Sequence, residues 1–190
     1  QELLLNSPLP NNEKALLKSA HSSAESLLGI LNQVLDLSKI EAGKLTLNLE
    51  PCCLNTLIDD IDSAFSTVAQ IQNLTLHTTK DPRIAQVLMI DALRLRQILQ
   101  NLISNAIKFT EHGEIYFSIS VLADDHAGQL IEFRVIDTGV GMGSEDIELA
   151  LQAFEQIPGS SEQHKGTGLG LTITNHLVIS MGSQLYFDSA

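Results

Sequence analysis

The chain has 190 residues, of which 44% are hydrophobic, so it can bury one good core and a small second module, and its composition is not that of a disordered protein. Its formal net charge of −12 argues against a nucleic-acid surface and against adhesion to an anionic membrane, because both need a basic face. The only cysteines, Cys52 and Cys53, are adjacent and cannot join distant segments, which favours a reducing compartment.

The first predicted element is a long amphipathic helix from Asn11 to about Ala42. Its apolar and small residues recur three and four positions apart, as in a packed helix seam: Leu16, Ala20, Ala24, Leu27, Leu31, Val34 or Leu35, and Ser38. Gly43 is a natural helix end, and the preceding "QELLLNSPLP" is typical of the tail of an earlier helix that prolines interrupt. Residues 1–44 are therefore predicted to be part of an antiparallel helix pair, whose seam completes a four-helix bundle with a second copy.

From residue 45 to 190 short strands alternate with helices, which predicts a second domain. Strands are expected at "KLTLNLEP", "LTLHTT", "QVLMID", "EIYFSISVLAD", "QLIEFRVID" and "QLYFDS", with the turn "DHAG" joining two of them in a hairpin. Helices are expected at "LNTLIDDIDSAFSTVAQIQN", "DALRLRQILQNLISNAIKFT", "SEDIELALQAF" and "LTITNHLVISM". This order predicts an α+β fold: a two-layer sandwich with helices on one face of a mixed, mainly antiparallel sheet, preceded by the partial helical hairpin.

The predicted helix "RQILQNLISNAIKF" carries three polar residues in one stripe. Asn101, Asn105 and Lys108 are separated by four and three positions, which places them within an arc of about 60°. Asparagine gains little from a helix interior, so the stripe is either an ordinary solvated face or a ligand face. As a ligand face it would offer amide oxygens to Mg²⁺ and a point charge to phosphate.

Two glycine-rich segments follow this helix. In "VIDTGVGM" an apolar strand ends in Asp137, before Gly139 and Gly141; this is either a plain Asp-Gly turn or a carboxylate that accepts from the amine of adenine, with glycines beside the flat ring. "KGTGLGL" matches neither the dinucleotide fingerprint nor the P-loop. It is either a loop that packs on the sheet or one whose backbone N–H groups, with the N-terminus of the next helix, bind phosphate.

The segments "NLISNAIKFTEHGEI", "DTGVGM", "FEQ" and "GTGLGLTI" occur in that order along the chain. Because they carry these segments in this order, residues 45–190 resemble the catalytic, ATP-binding domain of sensor histidine kinases. These kinases form one ATPase superfamily with gyrase, the MutL repair ATPases and a heat-shock chaperone. The preceding "SAESLLGILNQVLDLSKIEAGKL" is similar to the second helix of the dimerisation domain in hybrid sensor kinases.

The resemblance implies a role for each motif residue. Asn105 is implied as the Mg²⁺ ligand, Lys108 as a phosphate contact and Asp137 as the adenine acceptor, with Gly139 and Gly141 beside the base. The remaining implied ATP-binding positions are Phe154 in the F-box and the phosphate-binding loop residues Gly166, Thr167, Gly168, Leu169 and Gly170. The segment "EQIPGSSEQHK" between them is expected to be a lid that orders over nucleotide.

Asn101 bears on the choice between hydrolysis and phosphoryl transfer. Superfamily members that hydrolyse ATP carry a glutamate one turn before the Mg²⁺-binding asparagine, as general base for water. Asn101 occupies that position and takes up no proton near neutral pH, so we expect slow hydrolysis and a γ-phosphate reserved for a histidine. Asn101, Asn105 and Lys108 are therefore the predicted catalytic residues, acting mainly by positioning and charge neutralisation.

The phosphoacceptor histidine is an important departure from the family pattern. The pattern His-Glu-x-x-x-Pro does not occur around any of the six histidines. His21, in "SAHSSAES", lacks the acidic neighbour and the proline, and is interpreted as a surface residue of the bundle. We therefore expect the chain to be a fragment cut within the first dimerisation helix, which does not phosphorylate itself alone.

The resemblance also implies partners: ATP with Mg²⁺, a second copy through the helical hairpin, and a cognate response regulator or receiver domain, but no nucleic acid. The chain shows no signal peptide and no apolar run of 18 residues, and is expected to be a cytoplasmic domain of an inner-membrane sensor kinase.

Two rival functions remain. A degenerate kinase acting as a nucleotide-binding or dimerising scaffold is disfavoured by intact Asn105 and Asp137, and a gyrase-like ATPase by Asn101 and the dimerisation helix.

Overall fold

The computed structural model describes residues 11–126, 128–152, 155 and 167–189. The chain divides into two compact units, Gln1–Leu45 and Thr46–Ala190.

The described part of the first unit is one long helix, α1 (Asn11–Glu41). It ends in a tight turn in which the Lys44 amide donates to the Lys39 carbonyl at 2.8 Å. Gly43 in this turn has a φ of +63°, a left-handed conformation that favours glycine at helix C-termini. Leu37 of α1 is buried, whereas seven other large apolar side chains of the helix are exposed: Leu16, Leu27, Leu28, Ile30, Leu31, Val34 and Leu35. The helix therefore presents an uncovered apolar seam.

The second unit contains, in chain order, β1 (Glu50–Cys52), α2 (Leu54–Ile71), β2 (Thr75–Lys80), β3 (Leu88–Ile90), α3 (Ala92–Phe109), β4 (Glu114–Asp125), β5 (Gly128–Asp137), α4 (Ser144–Ala150) and α5 (Gly170–Ser180). β1 and β3 form a small antiparallel sheet. The other sheet has the order β2-β4-β5, in which β2 is parallel and β5 antiparallel to β4. Helices α2 and α3 pack on this sheet, and α5 packs on α3.

The hydrophobic core lies between the three-stranded sheet and helices α2 and α3. Alternate residues of β4 face the core and are buried, as the period of a half-buried strand requires: Ile115, Phe117, Ile119 and Val121. Both helices bury residues three and four positions apart, including Leu54, Leu57, Ile58 and Ile61 of α2 and Leu95, Leu99, Ile103 and Ile107 of α3. The predicted α+β class, with helices beside a mixed sheet, is confirmed.

The first predicted strand of this unit is shorter than expected. Its pairing is confined to Glu50–Cys52, because the partner strand β3 ends at Ile90. The next residue, Asp91, caps α3 instead: its buried carboxylate accepts from the Arg94 amide at 3.0 Å and from the Asn48 amide at 2.9 Å. The amide of Asn48 is thus bonded to a side chain rather than to a neighbouring strand.

The prediction of a closing strand at "QLYFDS" is wrong. In the structure, the described residues 183–189 form no strand, although the side chains of residues 184–188 alternate between exposed and half-buried. Their end is held by the Met142 amide, which donates to the Ser189 hydroxyl at 2.7 Å. A strand needs a paired backbone as well as alternation, and the sequence provides only the alternation. Helix α4 also ends earlier than predicted, at Ala150.

Candidate functional site

Helix α3 presents the predicted polar stripe beside the core. Asn101, Asn105 and Lys108 are half-buried, whereas Leu99 and Ile103 on the other side of the helix are fully buried. No hydrogen bond between described residues engages the Asn105 side chain. Its amide oxygen is therefore available as a ligand.

Asn101 joins α3 to the start of α5. Its Nδ2 donates to the hydroxyl of Thr174 at 2.9 Å, and the Thr174 side chain is buried. Gly170, the first residue of α5, lies against the same amide: a Cβ on Gly170 would be 2.3 Å from Asn101 Oδ1 and 3.1 Å from its Cγ. The structure thus brings the first residue of the stripe into contact with the last residue of the predicted phosphate loop.

The end of β5 lies against the C-terminal end of α3. Asp137 Oδ1 accepts from the Gly139 amide at 2.9 Å, and a Cβ on Gly139 would lie 2.5 Å from the Phe109 carbonyl oxygen. Gly141 has a φ of +68°, and Val140 is exposed. Asp137 is also exposed, and a carboxylate with one oxygen held by a backbone amide can still accept from a ligand.

The described part of the glycine-rich loop is residues 167–170. Gly168 has a φ of +68°, and the neighbouring Leu169 side chain is buried, which anchors the loop. The Leu169 amide donates to the Thr167 hydroxyl at 3.3 Å. Because α5 begins at Gly170, the amides of its first turn have no partner within the helix and can bind an anion.

Lys108 lies at the other end of the stripe and precedes Phe109, the last residue of α3. Its Nζ is 4.8 Å from the centroid of the Phe109 ring, within the range of a cation–π contact. Partial burial lowers the pKa of the Lys108 ammonium below its ordinary value, because removal from water disfavours the charged form. An anion bound at this face would restore favourable interactions to that charge.

These contacts arrange the predicted residues along one side of α3. Asn101 meets the glycine loop, and Phe109, eight residues further along, meets the segment after β5. At 1.5 Å per residue the two contacts are about 12 Å apart along the helix axis, with Asn105 and Lys108 between them. Phe154 and Gly166, which the resemblance places at the same site, lie outside the described residues.

Two residues of the site were not predicted from the sequence. Thr174 follows Gly170 by four positions, which puts both on one face of α5, and a polar residue on that face of an apolar helix is a usable signal. The contact of Phe109 with Gly139 involves the Phe109 backbone carbonyl, which no sequence pattern marks. Within the described ranges, no group of three or more His, Cys, Asp or Glu side chains could hold a metal ion.

The part of the chain that holds this site matches a known family. Residues 90–190 match the family model of histidine kinase-, DNA gyrase B- and HSP90-like ATPases. The chain therefore belongs to this family of ATPase domains.

Proteins similar over nearly the whole chain are sensor histidine kinases. The sensor histidine kinase GacS of Pseudomonas protegens is 40% identical over 98% of this chain, and the signal transduction histidine-protein kinase BarA of Escherichia coli is 38% identical over 98%. This chain spans 20% of the length of each. Full-length ShkA, whose crystal structure is a complex with AMPPNP, is 28% identical, with a TM-score of 0.74 over 95% of this chain and 36% of that one. The predicted resemblance to sensor histidine kinases is confirmed.

Proposed function

We propose that this chain binds ATP along α3 and transfers the γ-phosphoryl group to a histidine, as the catalytic portion of a sensor histidine kinase. The observation that carries the proposal is the double contact of α3, with Gly139 at its C-terminal end and with Gly170 near its middle. It supports a ligand that lies along the helix, with its base beside Asp137 and its phosphates beside the glycine loop. The AMPPNP in the ShkA complex is in line with such a ligand.

Asp137 supports the choice of adenine over guanine. Adenine presents an exocyclic amine, which donates to a carboxylate, whereas guanine presents a carbonyl at the same position, which a carboxylate repels. The bond from the Gly139 amide fixes the orientation of the Asp137 carboxylate before any ligand arrives. The absence of side chains at Gly139 and Gly141 allows backbone to approach the flat ring.

Asn105 is the residue that we propose as the protein ligand of Mg²⁺. Mg²⁺ keeps several waters and often takes only one or two protein ligands together with substrate phosphates, so an unengaged amide oxygen fits it without a cluster of carboxylates. When bound, the ion would neutralise charge on the phosphates. Lys108 and the first-turn amides of α5 would hold the phosphates from either side, which orients the γ-phosphorus toward an incoming imidazole nitrogen.

Asn101 supports transfer rather than hydrolysis. Its amide is engaged with Thr174 and cannot accept a proton near neutral pH, so no general base stands one turn before Asn105 to activate water. In the proposed reaction, the bond between the γ-phosphorus and the oxygen of ADP breaks as the bond to the histidine nitrogen forms. ADP leaves, and the histidine ring loses its proton to solvent.

Helix α1 supports a second copy of the chain as a partner. Its exposed apolar residues recur at the spacing of a packed seam, and Leu16 and Leu27 are 71% and 67% exposed. We propose that two copies pair through this seam, and that a cognate response regulator or receiver domain then accepts the phosphoryl group.

Among the described residues, none of the helices is long and apolar enough to cross a membrane. We propose separately, from the likeness to sensor kinases, that the chain is a cytoplasmic domain.

The experiment that tests this function is calorimetric titration of the chain with ATP and with GTP, in the presence and absence of Mg²⁺. We expect binding of ATP that Mg²⁺ strengthens, and much weaker binding of GTP. Equal affinity for the two nucleotides would contradict the role of Asp137. Binding of ATP without any later transfer to a histidine-bearing helix would instead favour a nucleotide-binding scaffold.

A further inference from the structure

Asn101, Gly170 and Thr174 make a tightly packed contact between α3 and α5. Thr174 is 1% exposed, and its hydroxyl receives the Asn101 Nδ2 donor at 2.9 Å. The three atoms nearest to a Cβ built on Gly170 all belong to the Asn101 side chain, at 2.3, 3.1 and 3.2 Å. The amide therefore fills the space that a side chain at position 170 would need.

Thr174 determines how that amide is held. With Nδ2 directed at the Thr174 hydroxyl, Oδ1 is the amide atom that lies closest to Gly170. An asparagine side chain left without this bond could rotate about its terminal torsion, which has a broad energy profile. Because Gly170 is both the last loop residue and the first residue of α5, movement of the amide would alter where the loop sits on α3.

We propose that Thr174 is a positioning residue, which locks the Asn101 amide against Gly170 and so sets the phosphate-binding loop at a fixed distance from Asn105. This role rests on the proposed function, because it concerns the placement of the loop that would hold the phosphates. Thr174 touches no substrate and acts through Asn101 and Gly170. Asn105, one helical turn beyond Asn101, then receives the phosphates in a constant geometry.

A purely structural role for Thr174 would have a different signature. Loss of core packing would weaken the whole domain and reduce binding of every part of the nucleotide. A loss of loop placement alone would reduce binding of the phosphates and leave binding of the adenosine part unchanged, because Asp137 and Gly139 lie at the other contact of α3. The affinities for ATP, ADP and adenosine therefore separate the two roles.

The first test compares Thr174→Val and Thr174→Ser by calorimetry with these three ligands and Mg²⁺. Valine keeps the shape of threonine without the hydroxyl, and serine keeps the hydroxyl. We expect Thr174→Val to weaken ATP and ADP by about 3- to 10-fold, the scale of one hydrogen bond, with adenosine unchanged. Thr174→Ser should restore most of the loss. An equal loss for adenosine, or no loss for ATP, would overturn the proposal.

The second test is a double-variant cycle that does not depend on the threonine. Gly170→Ala should weaken ATP by about 10-fold or more, because its Cβ must displace the Asn101 amide. Asn101→Ala removes the clashing Oδ1 together with Cγ and Nδ2, so the double variant should bind ATP more tightly than Gly170→Ala alone. If the free-energy losses in ATP binding of the two single variants simply added in the double variant, the contact between Gly170 and Asn101 would not affect ATP binding, and the proposal would be overturned.

Titration of the wild-type chain with ATP distinguishes failure of the proposed function from failure of the positioning role alone. A wild type that binds no ATP would overturn the proposed function and this role with it. A wild type that binds ATP, with a Thr174→Val variant that binds it equally well, would overturn the positioning role alone.

Discussion

The Cα of Gly139 lies so close to the backbone of Phe109 that a Cβ there would be 2.5 Å from the Phe109 carbonyl oxygen and 2.8 Å from Asp137 Oδ1. This contact joins the end of β5 to the end of α3 and allows no side chain between them. It fixes where the Asp137 carboxylate stands relative to the polar stripe.

Gly139→Ala is therefore expected to displace Asp137 or the end of α3. The nearest neighbour, the Phe109 carbonyl, is backbone and cannot rotate away, so we expect overpacking of about 1 to 3 kcal/mol and a loss of ATP affinity of about 10-fold or more. Calorimetry with ATP and urea unfolding measure the two effects. Gly29→Ala is the matched control: a Cβ on Gly29, within α1, meets nothing within 4 Å, and alanine should stabilise the helix by about 0.5 to 1 kcal/mol. ATP affinity equal to wild type in Gly139→Ala would show that the contact is not tight.

Asp137→Asn tests the selection of adenine. The amide oxygen of asparagine can still accept from Gly139, so the turn should persist, but the charge that strengthens the bond to the adenine amine is lost. We expect the affinity for ATP to fall by about 1.5 to 3 kcal/mol. The preference for ATP over GTP should shrink with it, as titration of both nucleotides against both chains would show. An unchanged preference would move the base contact to another residue.

Most of the site was predictable because its residues lie in local patterns. The polar stripe of α3 follows from helical periodicity, and the run of glycines indicates backbone that closely approaches another group, as Gly170 approaches Asn101. The tie between Asn101 and Thr174 was not predictable, because it joins residues 73 positions apart on different helices. The roles of Asn101, Asn105, Lys108 and Asp137 stay predictions until the variants are measured.

The fold shows the same division between local and tertiary information. Alternation of side chains correctly predicted β4 and β5, which are long and pair with each other. It failed for the last segment, where Leu185 and Phe187 are half-buried and Tyr186 is exposed but no ladder forms. Pairing depends on which strand edge is within reach, and single-sequence alternation carries no such information.

Asn105→Ala tests the metal ligand. Removal of the amide oxygen should abolish most of the increase in ATP affinity that Mg²⁺ provides, while the fold persists, because the side chain is half-buried and makes no hydrogen bond to a described residue. Titration of ATP with Mg²⁺ and with EDTA measures the difference. Gln100→Ala is the control, since this amide lies about 140° around the same helix. If Mg²⁺ strengthened ATP binding equally in Asn105→Ala, the ligand would have to be another residue.

Asp81 is expected to make the stability of the second unit sensitive to acid. Its carboxylate accepts from Arg83 Nη2 at 2.6 Å and Nε at 3.0 Å, and from the backbone amides of Arg83 at 2.9 Å and Val121 at 3.1 Å. These hydrogen bonds, first those of the Arg83 side chain, hold the pKa of Asp81 well below its ordinary value. The Val121 amide lies beside a register shift between β4 and β5, so the carboxylate supports an irregular point of the sheet.

The sign of the pH effect follows from that lowered pKa. The unfolded chain binds a proton at Asp81 near pH 4, and the folded chain only at lower pH, so the contribution is complete above about pH 5 and is lost as the pH falls through the folded pKa. Asp81→Asn should therefore lower the urea midpoint at pH 7, with a difference from wild type that narrows below about pH 4. Asp188→Asn, at an exposed carboxylate, is the control. A difference that stayed constant down to pH 3 would contradict this account.

The last prediction concerns the histidine that receives the phosphoryl group. His21 lies on α1, where its Nε2 is 3.4 Å from Oε1 of Glu25, one turn along the same helix. It lacks the His-Glu-x-x-x-Pro pattern of the family's acceptor. We expect the chain alone to form no phosphohistidine with γ-labelled ATP. We also expect it to hydrolyse ATP very slowly, because Asn101 supplies no base.

When a separate polypeptide that carries a His-Glu-x-x-x-Pro helix and completes the bundle is added, acid-labile, base-stable label should appear on that polypeptide. Its rate should rise with the concentration of the added helix, because an untethered nucleophile lacks the effective concentration of one held in the same chain. Asn105→Ala should abolish the label, since the phosphates would no longer be held in line with the imidazole, and His21→Ala should leave it unchanged. Label on the chain itself that disappears in His21→Ala would identify His21 as an acceptor and contradict its assignment as a surface residue of the bundle.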